Sequence, residues 1–118
     1  MARTVQVPFF DATGTSTAEN VGTTNRWLHY FHVVNSNLVD AYIQLFNALA
    51  ADVTVGTTAP NQSYLVPAGN GVDAGAFEAS FPDGLYFSTA LSFACTTTPT
   101  GNGNPTTALT VNMSVGGG

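Results

Sequence analysis

Two histidines, His29 and His32, are the first candidates for chemistry, because imidazole can act as a general base or bind a metal ion. They lie in the run from Trp27 to Asn35, whose aromatic and β-branched residues are typical of a β-strand. Side chains alternate between the two faces of a strand, so residues three apart point in opposite directions. The two histidines therefore cannot share a metal ion on a regular strand, and a structural, hydrogen-bonded role is favoured for each.

The other ionisable residues do not form a catalytic or metal-binding motif. A hydrolase triad could use a serine, a histidine and Asp40, but no nucleophile motif surrounds any serine. Asp73, Glu78 and Asp83 lack the alternating spacing of a calcium loop. A glycosidase pair could be drawn from the 7 acidic residues, but almost any chain offers such a choice. We therefore predict no enzymatic activity, no catalytic residue, no metal site and no cofactor, with a small hydrolase as the weakest alternative.

The single cysteine, Cys95, excludes a disulfide bond within the chain. It follows an apolar segment and precedes a run of threonines, which places it near the end of a strand. We expect it to be a small buried residue rather than an exposed nucleophile.

Charge is scarce in this chain and almost entirely negative. Only 8% of the residues are charged, two of them are arginines, none is lysine, and the net charge is -5. A basic patch for nucleic acid or for an anionic membrane cannot be built from this set, so neither partner is expected. Two interpretations of the charge-poor surface stay open: it is made to be packed against, or it is simply that of an acidic β domain.

Short β-prone segments separated by turn residues run along the chain after residue 26. We predict strands at 27–35, 39–47, 53–55, 63–66, 72–81, 85–94 and 109–115. Ser36-Asn37 is expected to join the first two as a hairpin, and Pro82-Asp83-Gly84 to make a tight turn. With no convincing helix, the pattern predicts an all-β single domain, an antiparallel β-sandwich or jelly roll.

Alternation assigns side chains to the two faces of the clearest strands. In the first of them it groups Leu28 with Tyr30, His32 and Val34, and it puts Phe31 on the opposite face. In the last strand it predicts one buried face, formed by Leu109, Val111, Met113 and Val115.

Residues 1–24 admit two interpretations. The segment from Val5 to Phe10 is β-prone but contains Pro8, which suits an edge strand or an extended N-terminal arm. The small polar residues from Asp11 to Thr24 are predicted to form a long loop. The segment is either an arm that packs on another chain, in which case deletion of residues 1–10 should leave the body folded, or a first strand followed by a surface loop. The β-sandwich domain is accordingly expected at residues 25–118.

Several short strand and turn motifs lie between residues 27 and 115. They comprise a strand that ends in LFN, a VGTTAP turn, a VPAG turn, a DGLYFSTA segment, and a Thr/Pro/Gly loop before the final strand ALTVNMSV. These motifs resemble small structural proteins of tailed bacteriophages, above all the capsid decoration (cement, or head-stabilising) proteins.

The resemblance implies a β-sandwich module on the exterior of a phage head. Such a protein binds the major capsid protein, clamps neighbouring subunits, and is often a homotrimer at threefold or quasi-threefold positions. It would be found in the host cytoplasm during assembly and afterwards on the virion. An N-terminal arm could add a strand to the shell. The expected capsid-contact residues are then Arg3, Val5, Val7, Phe9 and Phe10. The expected inter-subunit packing residues are Trp27, Tyr30 and Phe31.

A second function class stays open beside the first. The chain could be a virion-surface module, associated with a head fibre or a tail, that binds a host carbohydrate. Glycan binding would favour exposed aromatic rings beside Asn or Asp in loops, and Tyr64, Tyr86 and Trp27 are the candidates.

Overall fold

A computed structural model describes residues 5–117, which form eight β-strands and one short 3₁₀ helix. The strands are β1 (Val7–Gly14), β2 (Glu19–Gly22), β3 (Arg26–Asn35), β4 (Ala41–Phe46), β5 (Gln62–Val66), β6 (Gly75–Phe87), β7 (Leu91–Thr96) and β8 (Leu109–Gly116), and the 3₁₀ helix is Ala50–Asp52. Sheet 1 has the order β1-β8-β3-β6, sheet 2 has the order β2-β7-β4-β5, and every pairing is antiparallel. The predicted all-β sandwich is confirmed.

The core is the apolar layer between the two sheets. Sheet 1 contributes the inward side chains of β3 and β8, and sheet 2 those of β4 and β7. The predicted buried face of the last strand is confirmed: Leu109, Val111, Met113 and Val115 are all buried, and the residues between them are less so. Burial of each large apolar side chain contributes roughly 1.5–3 kcal/mol, so this layer is the main source of stability.

A β-bulge at His29 changes the faces that simple alternation assigned to β3. On the neighbouring β8, Val115 lies opposite Leu28 and Ser114 opposite Tyr30, so His29 is an extra residue without a partner. The predicted grouping of Leu28 with Tyr30 was therefore wrong. The extra residue brings Leu28 onto the same buried face as Phe31.

The strand β6 continues through Pro82-Asp83-Gly84, where a tight turn was expected. Residues 81–84 of β6 lie opposite a single residue of β3, His29. The extra residues form a wide bulge in the β3–β6 ladder, and the chain does not reverse direction there. Gly84 has a φ of 82°, and a Cβ there would lie 3.0 Å from Cε3 of Trp27. A glycine is required at this point both by the backbone conformation and by the indole ring.

The expected hairpin of the first two predicted strands is also wrong, because β3 and β4 belong to different sheets. A side-chain network supports the crossover. The amide of Asn35 donates to the carbonyl oxygens of Val39 (3.0 Å) and Val66 (3.2 Å). Asn37 donates from its amide to Thr107 O (2.9 Å) and accepts from Thr107 N (2.7 Å). These two buried amides supply hydrogen-bond partners to backbone groups around the connection, which has no hairpin ladder to pair them.

The expected N-terminal loop is replaced by two strands that are integral to the fold. β1 pairs with β8 at one edge of sheet 1, and β2 pairs with β7 at the edge of sheet 2. The predicted loop at 11–24 was therefore wrong, and the division at residue 24 does not separate an arm from the body. Deletion of residues 1–10 would remove paired residues of β1, so it is not a neutral truncation. Residues 1–4 of the deleted segment lie outside the part of the chain that the structure describes.

Two further segments depart from the predicted strands. Residues 53–55 lead into a turn in which Thr54 O accepts from the backbone of Thr57 and Thr58. The predicted strand at 85–94 is split after Phe87, because β6 lies in sheet 1 and β7 in sheet 2. Asn47 holds this crossover by accepting from Thr89 N (2.8 Å).

The substitution Leu109→Asp should prevent folding or cost more than about 4 kcal/mol, because it buries a carboxylate in the core. Thr110→Asp, on the other face of β8, is the matched control and should change stability far less. Urea unfolding followed by circular dichroism measures both. Similar midpoints for the two variants would contradict the assigned faces.

The substitution Asn37→Ala should cost about 2–3 kcal/mol, because it removes two part-buried hydrogen bonds to the backbone of Thr107 and a buried one to Asn35 Oδ1. Asn112→Ala, on the outer face of β8, is the control and should stay within roughly 0.5 kcal/mol of the wild type. Thermal unfolding measures the difference. An unchanged melting temperature for Asn37→Ala would show that the network does not support the crossover.

Candidate functional site

The two histidines occupy different positions on β3. His29 occupies the bulge, and its Nε2 is buried with no hydrogen-bond partner among the described residues. His32 lies on the outer face of sheet 1, opposite Asn112 of β8 and Glu78 of β6. Within residues 5–117, no three His, Cys, Asp or Glu side chains are grouped so that they could hold a metal ion.

Among the described residues, Asp11 and Glu19 form a close pair of carboxyl groups, which sequence reasoning did not single out. Asp11 lies on β1 and Glu19 on β2, so the pair joins the edge strands of the two sheets. Thr13 donates to Asp11 Oδ1 from its backbone (2.9 Å) and from its hydroxyl (2.6 Å). Asp11 Oδ2 and Glu19 Oε2 are buried and have no donor partner among the described residues. These two oxygens can form a hydrogen bond with each other if one of the two carboxyl groups is protonated.

The environment moves the pKa values of the pair in opposite directions. Burial, together with the hydrogen bond and the negative charge of Asp11, raises the pKa of Glu19 to about 7. Burial also acts to raise the pKa of Asp11, but hydrogen bonds from Glu19 and Thr13 outweigh it and lower that pKa. Below about pH 7 the pair therefore holds one proton, as closely spaced carboxyl groups do.

Cys95 lies next to this carboxyl pair and is buried, as expected from the sequence. Burial raises the pKa of its thiol, and the charges of Asp11 and Glu19 raise it further. A Cβ at Gly14 would lie 2.9 Å from Cys95 Sγ, so the thiol fills the space beneath β1. A thiol held in its protonated form is a poor nucleophile.

The outer face of sheet 1 carries rows of aromatic and polar side chains. Trp27 and Tyr86 lie opposite each other on β3 and β6, with ring centroids 4.4 Å apart. Further along β3, the Tyr30 hydroxyl donates to Glu78 Oε2 (2.7 Å). This hydrogen bond raises the pKa of Tyr30. The face therefore combines ring surfaces with hydrogen-bonding groups and very little charge.

The three residues expected to pack between subunits divide between two locations. Trp27 and Tyr30 lie on the outer face of sheet 1, where another chain could reach them. Phe31 is fully buried within its own chain and packs against Tyr64, Phe77 and Phe81. Phe31 shares its inward face with Val33, so it is not available to pack against another subunit.

Three of the expected capsid-contact residues are exposed apolar side chains on β1 and the segment before it, with Val7 and Phe10 on opposite faces of the strand. Val5, Val7 and Phe10 are 73%, 55% and 66% exposed. Phe9 is half-buried and packs edge-on against Phe93, with ring centroids 5.9 Å apart, so it belongs mostly to the core. Arg3 lies outside the described residues.

A second exposed apolar group, which sequence reasoning missed, lies where the connections β3–β4 and β5–β6 meet. Leu38, Val39 and Val72 are 70%, 60% and 91% exposed, and we call them the end patch. Leu38 lies beside the turn at Gly71, as its Cδ2 is 3.8 Å from the position of a Cβ there. The sequence did contain a signal for this patch, because these large apolar residues stand in segments that are otherwise rich in Asn and Gly and typical of surface loops.

Of the three candidates for carbohydrate binding, Tyr64 and Trp27 are half-buried. The Tyr64 ring packs on Phe31 and Phe77, and its hydroxyl donates to Gln62. Tyr86 is the most accessible, with 48% of its surface exposed. The Trp27 ring packs against the Tyr86 ring.

In the part of the chain that the structure describes, no helix has the length and apolar character needed to cross a membrane. Comparison with models of known protein families finds no match for this chain, and no curated protein matches it significantly.

The pH dependence of stability should report on the carboxyl pair. Because the folded-state pKa of Glu19 is raised from 4.5 to about 7, the folded protein binds more protons than the unfolded chain in that window, and the free energy of unfolding should fall as the pH rises through it. Glu19→Gln should remove this slope. It should also stabilise the protein at pH 8, by an amount on the order of 1 kcal/mol after allowance for solvent screening.

Urea unfolding at pH 5 and pH 8 measures the effect, with Asp52→Asn at an exposed position as the control. An identical pH slope in the wild type and in Glu19→Gln would show that the two carboxyl groups do not share a proton.

Proposed function

We propose that this chain is a non-enzymatic virion structural protein, a capsid decoration protein that binds the major capsid protein on the outside of a phage head and stabilises the shell. It acts there as a homotrimer at threefold or quasi-threefold positions, and it is present in the host cytoplasm while particles assemble. The proposal starts from the resemblance to phage decoration proteins and is supported by where exposed apolar surface lies on the sandwich.

The observation that carries the proposal is the presence of exposed apolar side chains at two opposite ends of a rigid body. Val7 pairs with Val115, close to the start of β3 at Trp27. The end patch lies at the other end of β3, where Asn35 bonds to Val39 O. A body with an adhesive region at each end can bridge two neighbouring shell subunits, which is what a clamp requires.

The region around β1 is suited to a partner segment in two ways. β1 is an edge strand of sheet 1, so one side of its backbone is not paired within the sheet. Beside it, a cavity of about 160 Å³ is lined by Val7, Phe9, Val21 and Arg26, among others. An extended segment of a capsid subunit could pair with β1 and place a side chain in this hollow. Arg26 would favour an acidic residue there.

The end patch offers a different kind of contact. Its side chains are aliphatic and project from loops, where they cover little of the chain's own core. Exposed apolar groups in contact with one another favour burial against a partner. Each such contact is weak, but threefold closure lets three copies of both regions act together, and avidity multiplies modest affinities.

The charge and the reactivity of the chain are consistent with a passive role. With only two arginines and a net charge of -5, contacts to the shell must depend on apolar and hydrogen-bonding groups. The only thiol is buried and held protonated, and one imidazole nitrogen of His29 is buried. These features support a structural role over a hydrolytic one.

Co-sedimentation with capsids that lack this protein tests the proposal. Wild-type protein should bind capsids of the same virus and raise their melting temperature. Val7→Ser with Phe10→Ser, and separately Leu38→Ser with Val72→Ser, should each weaken attachment about tenfold by removing central apolar contacts.

Leu65→Ser is the matched control, since Leu65 is an exposed leucine on β5 that belongs to neither region. It should bind like the wild type. Light scattering gives the oligomeric state in the same samples. A monodisperse monomer that neither sediments with capsids nor raises their melting temperature would overturn the proposal.

A further inference from the structure

A small hollow opens beside Tyr86 at the side of the sandwich where β5 and β6 form the edges of their sheets. Its volume is about 150 Å³, the scale of one sugar ring. It is lined by Asn47, Asn61, Gln62, Leu85, Tyr86 and Phe87. None of these side chains carries a charge, so the hollow is suited to a neutral ligand with both ring faces and polar groups.

The two exposed amides of the hollow have fixed orientations. Asn61 Oδ1 accepts from Asn47 N (2.8 Å), and Gln62 Oε1 accepts from the Tyr64 hydroxyl. In both side chains the oxygen is therefore engaged, and the NH₂ group is the part left for a ligand. Asn61 and Gln62 are both exposed, so these donors can be reached from solvent.

Tyr86 supplies a ring that is held in place from behind. Trp27 lies against it with centroids 4.4 Å apart and an interplanar angle of 32°. The indole is in turn confined by Gly84 and Gly117, at each of which a Cβ would approach it within 3.0 Å. A ring supported in this way costs little conformational entropy when a ligand stacks on it.

From this arrangement we propose that the hollow is a carbohydrate-binding subsite for a neutral pyranose. The polarised C–H face of the sugar stacks on Tyr86, because the face of an aromatic ring carries partial negative charge. The amide NH₂ groups of Asn61 and Gln62 donate to its hydroxyl or ring oxygens. This binding function goes beyond attachment to a capsid, and it is independent of that proposal because it uses the opposite edge of sheet 1 from β1.

The test is a fluorescence titration of the isolated protein with maltohexaose, cellohexaose and mannohexaose. Trp27 is the only tryptophan in the chain and touches Tyr86, so ligand stacking on Tyr86 should change its emission. A single subsite of this size should bind with a Kd on the order of 1 mM. Tyr86→Ala should abolish saturable binding, and Phe10→Ala, an exposed aromatic residue elsewhere, should retain it.

A second pair of variants removes the donors without disturbing the fold. Asn61→Asp and Gln62→Glu keep the oxygen that accepts from Asn47 N or from Tyr64, but they replace each NH₂ group by an acceptor. Each should weaken sugar binding at least about tenfold at an unchanged melting temperature. Isothermal titration of the same variants gives a readout that does not depend on Trp27.

Three results would overturn the inference. The first is no saturable binding of any of the three sugars up to about 20 mM, roughly twenty times the expected Kd. The second is unchanged affinity in Tyr86→Ala or in the two amide variants. The third is a change of oligomeric state in Tyr86→Ala, which would assign this face to contact between copies of the chain. Because no capsid is present in the assay, failure here leaves the capsid test unaffected.

Discussion

The apolar layer between the two sheets is the interaction on which the rest of the structure depends, and the bulge at His29 is what completes it. Without the extra residue, Leu28 and Phe31 would face opposite sides of sheet 1, and one of them would leave the core. With it, both are fully buried. The same bulge places Trp27 on the outer face of sheet 1, where its ring packs against Tyr86. The packing of the core thus also decides which aromatic rings reach the surface.

The polar side chains act mainly at the crossovers between the sheets. Asn35 and Asn37 support the connection from β3 to β4, and Asn47 supports the one from β6 to β7. Each carries both donors and acceptors on a short side chain, so it can replace the ladder bonds that end where a strand leaves its sheet. This use of asparagine explains how a chain with little charge satisfies its buried backbone groups.

The two sides of the sandwich present different surfaces. At one side, the carboxyl groups of Asp11 on β1 and Glu19 on β2 lie close together, and β1 presents apolar residues to solvent. At the other side, β5 and β6 border the hollow at Tyr86. The proposed shell contact at β1 and the proposed sugar subsite at Tyr86 use different surfaces, so the two proposals are compatible in one protein.

The sequence by itself determined the class of fold, the buried face of β8 and the burial of Cys95, because these follow from local alternation and composition. It left residues 5–10 open between an arm and a first edge strand, and it did not predict β2, since Asp11 to Gly22 has few apolar residues and acquires its strand form only by pairing with β8 and β7.

Only the tertiary structure decided the faces of β3, the closeness of Asp11 to Glu19, and the hollow that joins Tyr86 to Asn61. In each case the deciding contact joins residues from different strands, and in the last two those strands belong to different sheets. The physical reason is that a bulge, a close carboxyl pair and a cavity all depend on strand register and on sheet packing. The alternation of residues along a single strand encodes neither the register nor the packing.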